Sequence, residues 1–112
     1  MTKHFIITND ATILDALNKI QENKHGLVFI TDHQGRLEGS LSDGDIRRHL
    51  IAGCEIQAKA TDIANHSPAF VNQRSKVSSQ WALDCFSTGH RALPVVCEDK
   101  RVIDIITDYK AF

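Results

Sequence analysis

The sequence predicts an α+β fold in which one β-α-β-β-α unit is used twice, and three observations carry that prediction. The first is an internal repeat: Arg36 falls on Arg101, Ser42 on Thr107 and Asp43 on Asp108, each at an offset of 65. Upstream, Leu27-Val28-Phe29-Ile30 falls on Leu93-Pro94-Val95-Val96 at 66 and Ile13 on Val77 at 64, so only small loop changes separate the copies. The second is periodicity, with apolar residues at helical intervals in some stretches and in continuous runs in others. The third is a pair of helix-start signals: Thr12/Asp15 and Ser42/Asp45 have capping-box spacing, with Asp in place of Glu or Gln. Two copies are too few for a solenoid. The repeats are expected to span residues 1–56 and 57–112. At roughly fifty residues each would bury too little surface alone, so a shared core is expected.

Taken in order, Phe5-Ile6-Ile7 is a short strand closed by Thr8-Asn9-Asp10. Thr12 opens a helix whose inner face is Ile13, Ala16, Leu17 and Ile20, and Gly26 ends it after Lys24-His25. Leu27 to Thr31 is a buried strand, Asp32-His33-Gln34-Gly35 a hairpin turn, and Leu37 to Leu41 the returning strand. The helix opened by Ser42 runs to about Ala52 and stops at Gly53. Residues 54–60 carry little pattern and read as a linker, followed by a helical turn at Thr61-Asp62-Ile63-Ala64 that Pro68 halts. The second copy then offers a strand at Ala69-Phe70-Val71 and a helix faced by Val77, Trp81, Ala82, Cys85 and Phe86, ended by Gly89. Strands at Leu93–Cys97 and Arg101–Thr107 flank a turn at Glu98-Asp99-Lys100, and the last helix is cut short. Leu37, Leu41, Ile103 and Ile105 are expected in the core, and Trp81 in the core or a dimer contact.

Composition narrows the function classes. The 42% apolar content supports a modest core, and a net charge of −1 argues against a nucleic-acid or membrane surface. No apolar run reaches the roughly 18 residues of a membrane span, and the N-terminus lacks a secretion signal. Cys54, Cys85 and Cys97 are odd in number and lack C-x-x-C spacing, which fits reduced thiols in a cytoplasmic protein. The six histidines form no H-x-x-x-H or Cys/His knot, so no metal is expected. Ser42 has no nucleophile elbow around it, which argues against a hydrolase.

The strand-to-helix junction at Ser42 holds the most chemistry. A helix start presents backbone N–H groups to an anion, Ser42 adds a hydroxyl, and the Asp45 carboxylate can accept from the two hydroxyls of a ribose. Phosphate at the helix start and sugar on Asp45 together suggest a nucleotide, while the plainer alternative is that the pair only caps a helix.

The duplicated order, with Gly39-Ser40-Leu41-Ser42-x-x-Asp45 and the Leu93-Pro94-Val95-Val96 strand, resembles a tandem pair of cystathionine-β-synthase (CBS) domains, a Bateman module, from Phe5 to Tyr109. The resemblance implies a non-catalytic regulatory module that binds an adenosine nucleotide (AMP, ADP or ATP) between repeats and pairs into homodimers. Carried across, the junction hydroxyls are Ser42 and Thr107 and the ribose carboxylate is Asp45. Backbone at Ile7, Thr8 and Asn9 would meet the base, with His25 and Gly26 lining the same cleft and Arg91, beside His90, reaching a phosphate from the other repeat. Of Arg47, Arg48 and His49 on the motif helix, Arg48 is the nominated contact. In the second repeat Lys110 replaces the ribose acid and Asp104 the family's usual Gly. Lysine cannot accept a hydrogen bond, so one competent cleft is expected rather than two.

Ser42-Asp43-Gly44-Asp45-Ile46-Arg47-Arg48 is also similar to CBS pairs attached to bacterial sugar-phosphate nucleotidyltransferases and arabinose-5-phosphate isomerases. That similarity implies a regulatory piece of a larger enzyme. The stop at Lys110-Ala111-Phe112 is compatible with a following catalytic domain, and Met1 close to the first strand favours the nucleotidyltransferase order. Neither catalytic core lies within these residues. A third reading is a dimerisation scaffold with a vestigial cleft.

Overall fold

The computed structural model describes residues 2–73 and 91–107. The expected helix around Val77–Phe86, Gly89, His90, Asp108 and Lys110 lie outside the described residues. The first repeat folds as β1 (Ile6–Thr8), α1 (Ile13–Asn23), β2 (Leu27–Thr31), β3 (Leu37–Ser42) and α2 (Asp43–Ile51). The second contributes β4 (Val71–Asn72), β5 (Leu93–Val96) and β6 (Val102–Ile106). Two three-stranded sheets result, ordered β1-β2-β3 and β4-β5-β6. In each, the first pair is parallel and the second antiparallel.

Local chemistry explains the boundaries. Thr12 caps α1 with a full capping box, its Oγ1 accepting from the Asp15 N–H while Asp15 accepts from the Thr12 N–H. At the other end Lys24, rather than Gly26, takes the left-handed cap, with φ 61°. The buried Asn23 makes this possible: its amide donates to the carbonyls of His4 and Leu27, and its oxygen accepts from the His25 N–H. The first strand is shorter than the apolar run suggests, because Phe5 closes a 3₁₀ turn (Thr2–Phe5). Likewise β4 begins only at Val71, after Ala69-Phe70. The helical turn expected from Thr61 is a 3₁₀ turn at Ala60–Asp62.

The register corrects the repeat alignment. In the first sheet an irregularity separates the pairs Ile30/Gly39 and Thr31/Leu37; in the second one separates Val95/Asp104 and Val96/Val102. All four positions differ by 65, so Leu27 corresponds to Ala92 and Gly26 to Arg91, rather than Leu27 to Leu93. The expected offset of 66 followed the apolar run, which starts one residue later in the second copy because Ala92 is a weaker apolar signal. A local twofold follows from the backbone. Arg36 bridges its own equivalent, Arg101, in antiparallel fashion. Leu37 N–H donates to Lys100 O and Val102 N–H to Gly35 O, each at 2.9 Å, and the two bonds exchange under the same offset.

Two apolar clusters hold the described chain. Ile7, Ile13, Ala16, Ile20, Val28, Ile30, Leu41 and Ile46 join α1 and α2 to the first sheet, with Ala60 also in this cluster. Phe5, Phe29 and Leu37 pack with Ala92, Val96 and Ile105 across the seam between repeats. Strand β2 supplies both clusters, Val28 and Ile30 to one and Phe29 to the other, which is why its run is continuously apolar. Ile103 is 43% exposed, against its expected place in the core, since the register irregularity of β6 falls on it and leaves it without a partner on β5. The linker is not featureless: Ile13 and Leu14 N–H groups donate to Ala58 and Ile56 carbonyls, and Ala60 N–H to Ala11 O.

Candidate functional site

Ser42 ends β3 and caps α2, its Oγ accepting from the Asp45 N–H at 3.1 Å. The reciprocal bond of a full box is absent from this end, and the Asp45 carboxylate instead takes the Arg48 guanidinium. The Asp43 N–H donates to Gly26 O at 2.9 Å, so two of the first three N–H groups of α2 are already engaged. The junction therefore offers fewer free donors than its spacing implied.

Beside this junction lies a cleft of about 350 Å³. Gly26, Leu27, Phe29, Ser40 and Ser42 form its wall from the first repeat, and Asn65, Pro68, Ala69, Arg91 and Ala92 its wall from the second. The sheet sets this arrangement. Leu27 pairs with Ser42 and Phe29 with Ser40, so the start of β2 and the end of β3 meet at one sheet end. The Asn65 segment runs along β3, exchanging two 2.9 Å backbone bonds with Ser40. Arg91, at the mouth of β5, reaches across the cleft and donates from Nη1 to Asp43 Oδ1 at 3.2 Å.

Of the nominated residues, Gly26, Ser42 and Arg91 come together here. Asp45 lies in the first turn of α2 and Arg48 in the next, paired with each other and outside the lining. His25 and Thr107 go instead to a second cleft of about 260 Å³ with His4, Phe5, Glu22 and Asn23. Thr107 corresponds to Ser42, and His4-Phe5 to Pro68-Ala69 through the β1 and β4 registers, so this is the local-twofold mate of the first. Ile7 is buried in the core, and Thr8 and Asn9 line neither cleft. The reason is strand direction: β1 runs parallel to β2, with Thr8 opposite Thr31 and the Ser42 junction opposite Leu27. Four residues of strand put Thr8 roughly 13 Å from that end. Residues 65–69 were missed because they carry no periodicity; the local symmetry, which sets Pro68-Ala69 on His4-Phe5, is the signal that finds them.

Asp104, read as a departure from the family's Gly, is exposed, and its side chain accepts from the Ile105 N–H. Its counterpart Gly39 is buried, and a Cβ there would lie 3.0 Å from Asn65 O, which leaves no room for a side chain. Among the described residues no group of three or more His, Cys, Asp or Glu side chains could hold a metal ion, and no helix is long and apolar enough to cross a membrane.

A family model described as the CBS domain matches residues 1–52. An uncharacterised protein of Helicobacter pylori (strain J99) is 28% identical over 96 residues, which cover 86% of this chain and 29% of that protein. The chain thus spans less than a third of the length of the curated relatives it matches. CBSX2 of Arabidopsis thaliana, solved in complex with AMP, is 26% identical with a TM-score of 0.74, over 95% of this chain and 82% of that one. Hypoxic Response Protein I, solved with two coordinated zinc ions, is 27% identical with a TM-score of 0.74, over 91% and 82%.

Proposed function

We infer that this chain, whose residues 1–52 match the CBS domain model and whose described residues take the fold of a CBS pair, is a regulatory module that senses an adenosine nucleotide in the cleft between its repeats. The observation that carries this reading is one crevice walled by both repeats, with the Ser42 junction on one side and the Arg91 guanidinium on the other. A phosphate would take Arg91, and the ribose hydroxyls would take Asp45 once Arg48 releases it. AMP in CBSX2 supports the ligand class. Binding across the seam favours one relative arrangement of the repeats, and a linked or partner protein reads that shift. Such coupling is limited by the ligand's differential affinity for the two states, typically about 1–3 kcal/mol. The module regulates rather than catalyses, and it works as a homodimer in the cytoplasm.

Thermal melting with AMP, ADP, ATP and S-adenosylmethionine tests the reading. A ligand at about 100 times its dissociation constant adds roughly 2.7 kcal/mol of stability. No stabilisation by any of the four would overturn it, as would an Asp45→Ala variant that binds as tightly as the parent.

The relatives' greater length favours a second, compatible reading, in which the pair is the regulatory portion of a larger protein such as a sugar-phosphate nucleotidyltransferase. The coding sequence flanking this segment tests it, and a flank without a catalytic domain would remove it. Sedimentation separates both from a bare scaffold, which would dimerise without regard to nucleotide.

A further inference from the structure

We propose that Asp43 is a counter-anion seated on Arg91, which an anionic ligand must displace, so that Asp43 sets how strongly the cleft selects ligands by phosphate charge. The inference rests on the reading of that cleft as a nucleotide site and assigns to it a determinant of specificity.

Arg91 enters from the second repeat and Asp43 from the first turn of α2 in the first, yet Nη1 and Oδ1 stand 3.2 Å apart at the edge of the cleft, which Arg91 lines and Asp43 adjoins through Ser42. The path between them is kept open by Gly26, where a Cβ would run into the Arg91 guanidinium. Gly26 also holds φ +79°, so the backbone there disfavours any side chain that could close the path. Under the offset of 65, Gly26 is the counterpart of Arg91. At the position equivalent to Arg91, then, the mate cleft carries a glycine and no guanidinium.

The pair is suited to exchange. Arg91 is 55% and Asp43 35% exposed, and ion pairs at such exposure are weak. Arg47 Nη2 lies 4.0 Å from the other carboxylate oxygen, giving Asp43 a second cation to turn to when Arg91 leaves. A phosphate offers Arg91 a bidentate partner, which is stronger than the single contact it makes with Asp43. The carboxylate that remains nearby then repels the bound phosphate. Asp43 thus lowers affinity for phosphorylated ligands and leaves an uncharged nucleoside unaffected.

Calorimetric titration of the whole chain with AMP and with adenosine tests this on the parent, Asp43→Asn, Arg91→Ala and the double variant. Asp43→Asn is expected to tighten AMP by about two- to fivefold, within the range that loss of one exposed charge contact gives. Adenosine affinity should stay within about twofold, and the AMP gain should vanish in the Arg91→Ala background. Should Asp43→Asn misfold in a thermal melt, Asp43→Ser serves, being neutral and suited to a first helical turn. An unchanged or weaker AMP affinity, an equal gain for adenosine, or a gain that survives without Arg91 would overturn the proposal. AMP binding that Arg91→Ala weakens but Asp43→Asn leaves alone removes this inference and spares the nucleotide reading. Absence of binding by AMP, ADP, ATP and S-adenosylmethionine in both parent and Asp43→Asn removes both.

Discussion

At the scale of single residues, closeness and charge decide what each position tolerates. Gly39 is buried where the Asn65 segment crosses β3, and a methyl group there would press at 3.0 Å on a backbone oxygen that cannot swing aside. Gly39→Ala is therefore expected to destabilise the protein by about 1–3 kcal/mol, the usual penalty of overpacking, measured by urea denaturation. Asp104→Ala, at the equivalent position of the second repeat, should be close to neutral, because that side chain is exposed. Asp99 illustrates charge. The Cys97 thiol and then the Arg101 guanidinium hydrogen-bond its carboxylate and hold its pKa at about 2, below the ordinary 3.8. A depressed folded pKa means the carboxylate contributes stability above the ordinary value and loses that contribution as pH falls from there towards 2. Carboxyl NMR should find the Asp99 midpoint near 2, and Asp99→Asn should flatten the acid limb of the stability curve; a midpoint near 3.8 would refute the contact geometry.

At the scale of elements, the two helix starts share spacing but not use. Asp15 completes the Thr12 box, whereas Asp45 leaves the Ser42 N–H alone and pairs with Arg48 in solvent. Asp15→Ala should cost about 0.5–1.5 kcal/mol, a normal capping hydrogen bond, and Asp45→Ala about 0–0.5 kcal/mol, that of an exposed i,i+3 pair. Equal losses in chemical denaturation would show that Asp45 is only a cap and not available to a ligand. This contrast also marks the limit of what sequence carries. Spacing finds both helix starts and the strands β2, β3, β5 and β6, because periodicity and capping are local properties of the chain. The Asp45–Arg48 pairing, the place of Thr8 and Asn9 at the far sheet end, and the wall formed by Asn65, Pro68 and Ala69 depend on strand direction and on a backbone crossing β3. Those are long-range facts, and no window of neighbouring residues records them.

At the scale of the whole molecule, the seam makes the repeats one unit. Phe29 is 2% exposed on the strand that serves both clusters, and it packs in one cluster with Ala92, Val96 and Ile105 of the other repeat. The backbone exchange at Leu37 and Val102 ties the two sheets at the same seam. Neither repeat can lose this contact and keep a closed core, so the chain should unfold in a single transition. Trp81, the sole tryptophan, falls in the second half of the sequence and its fluorescence is one probe, while the amide resonances of helices α1 and α2 are a second probe, set in the first repeat. The two probes should give coincident urea midpoints in the parent protein. Phe29→Ala should destabilise by about 3–5 kcal/mol, as loss of a large buried ring does. Although Phe29 lies in the first repeat, that loss should move the Trp81 midpoint as far as the helical one. Midpoints that separate, with Trp81 indifferent to Phe29→Ala, would mean that the repeats fold independently. A ligand bound between them would then have no shared core through which to couple.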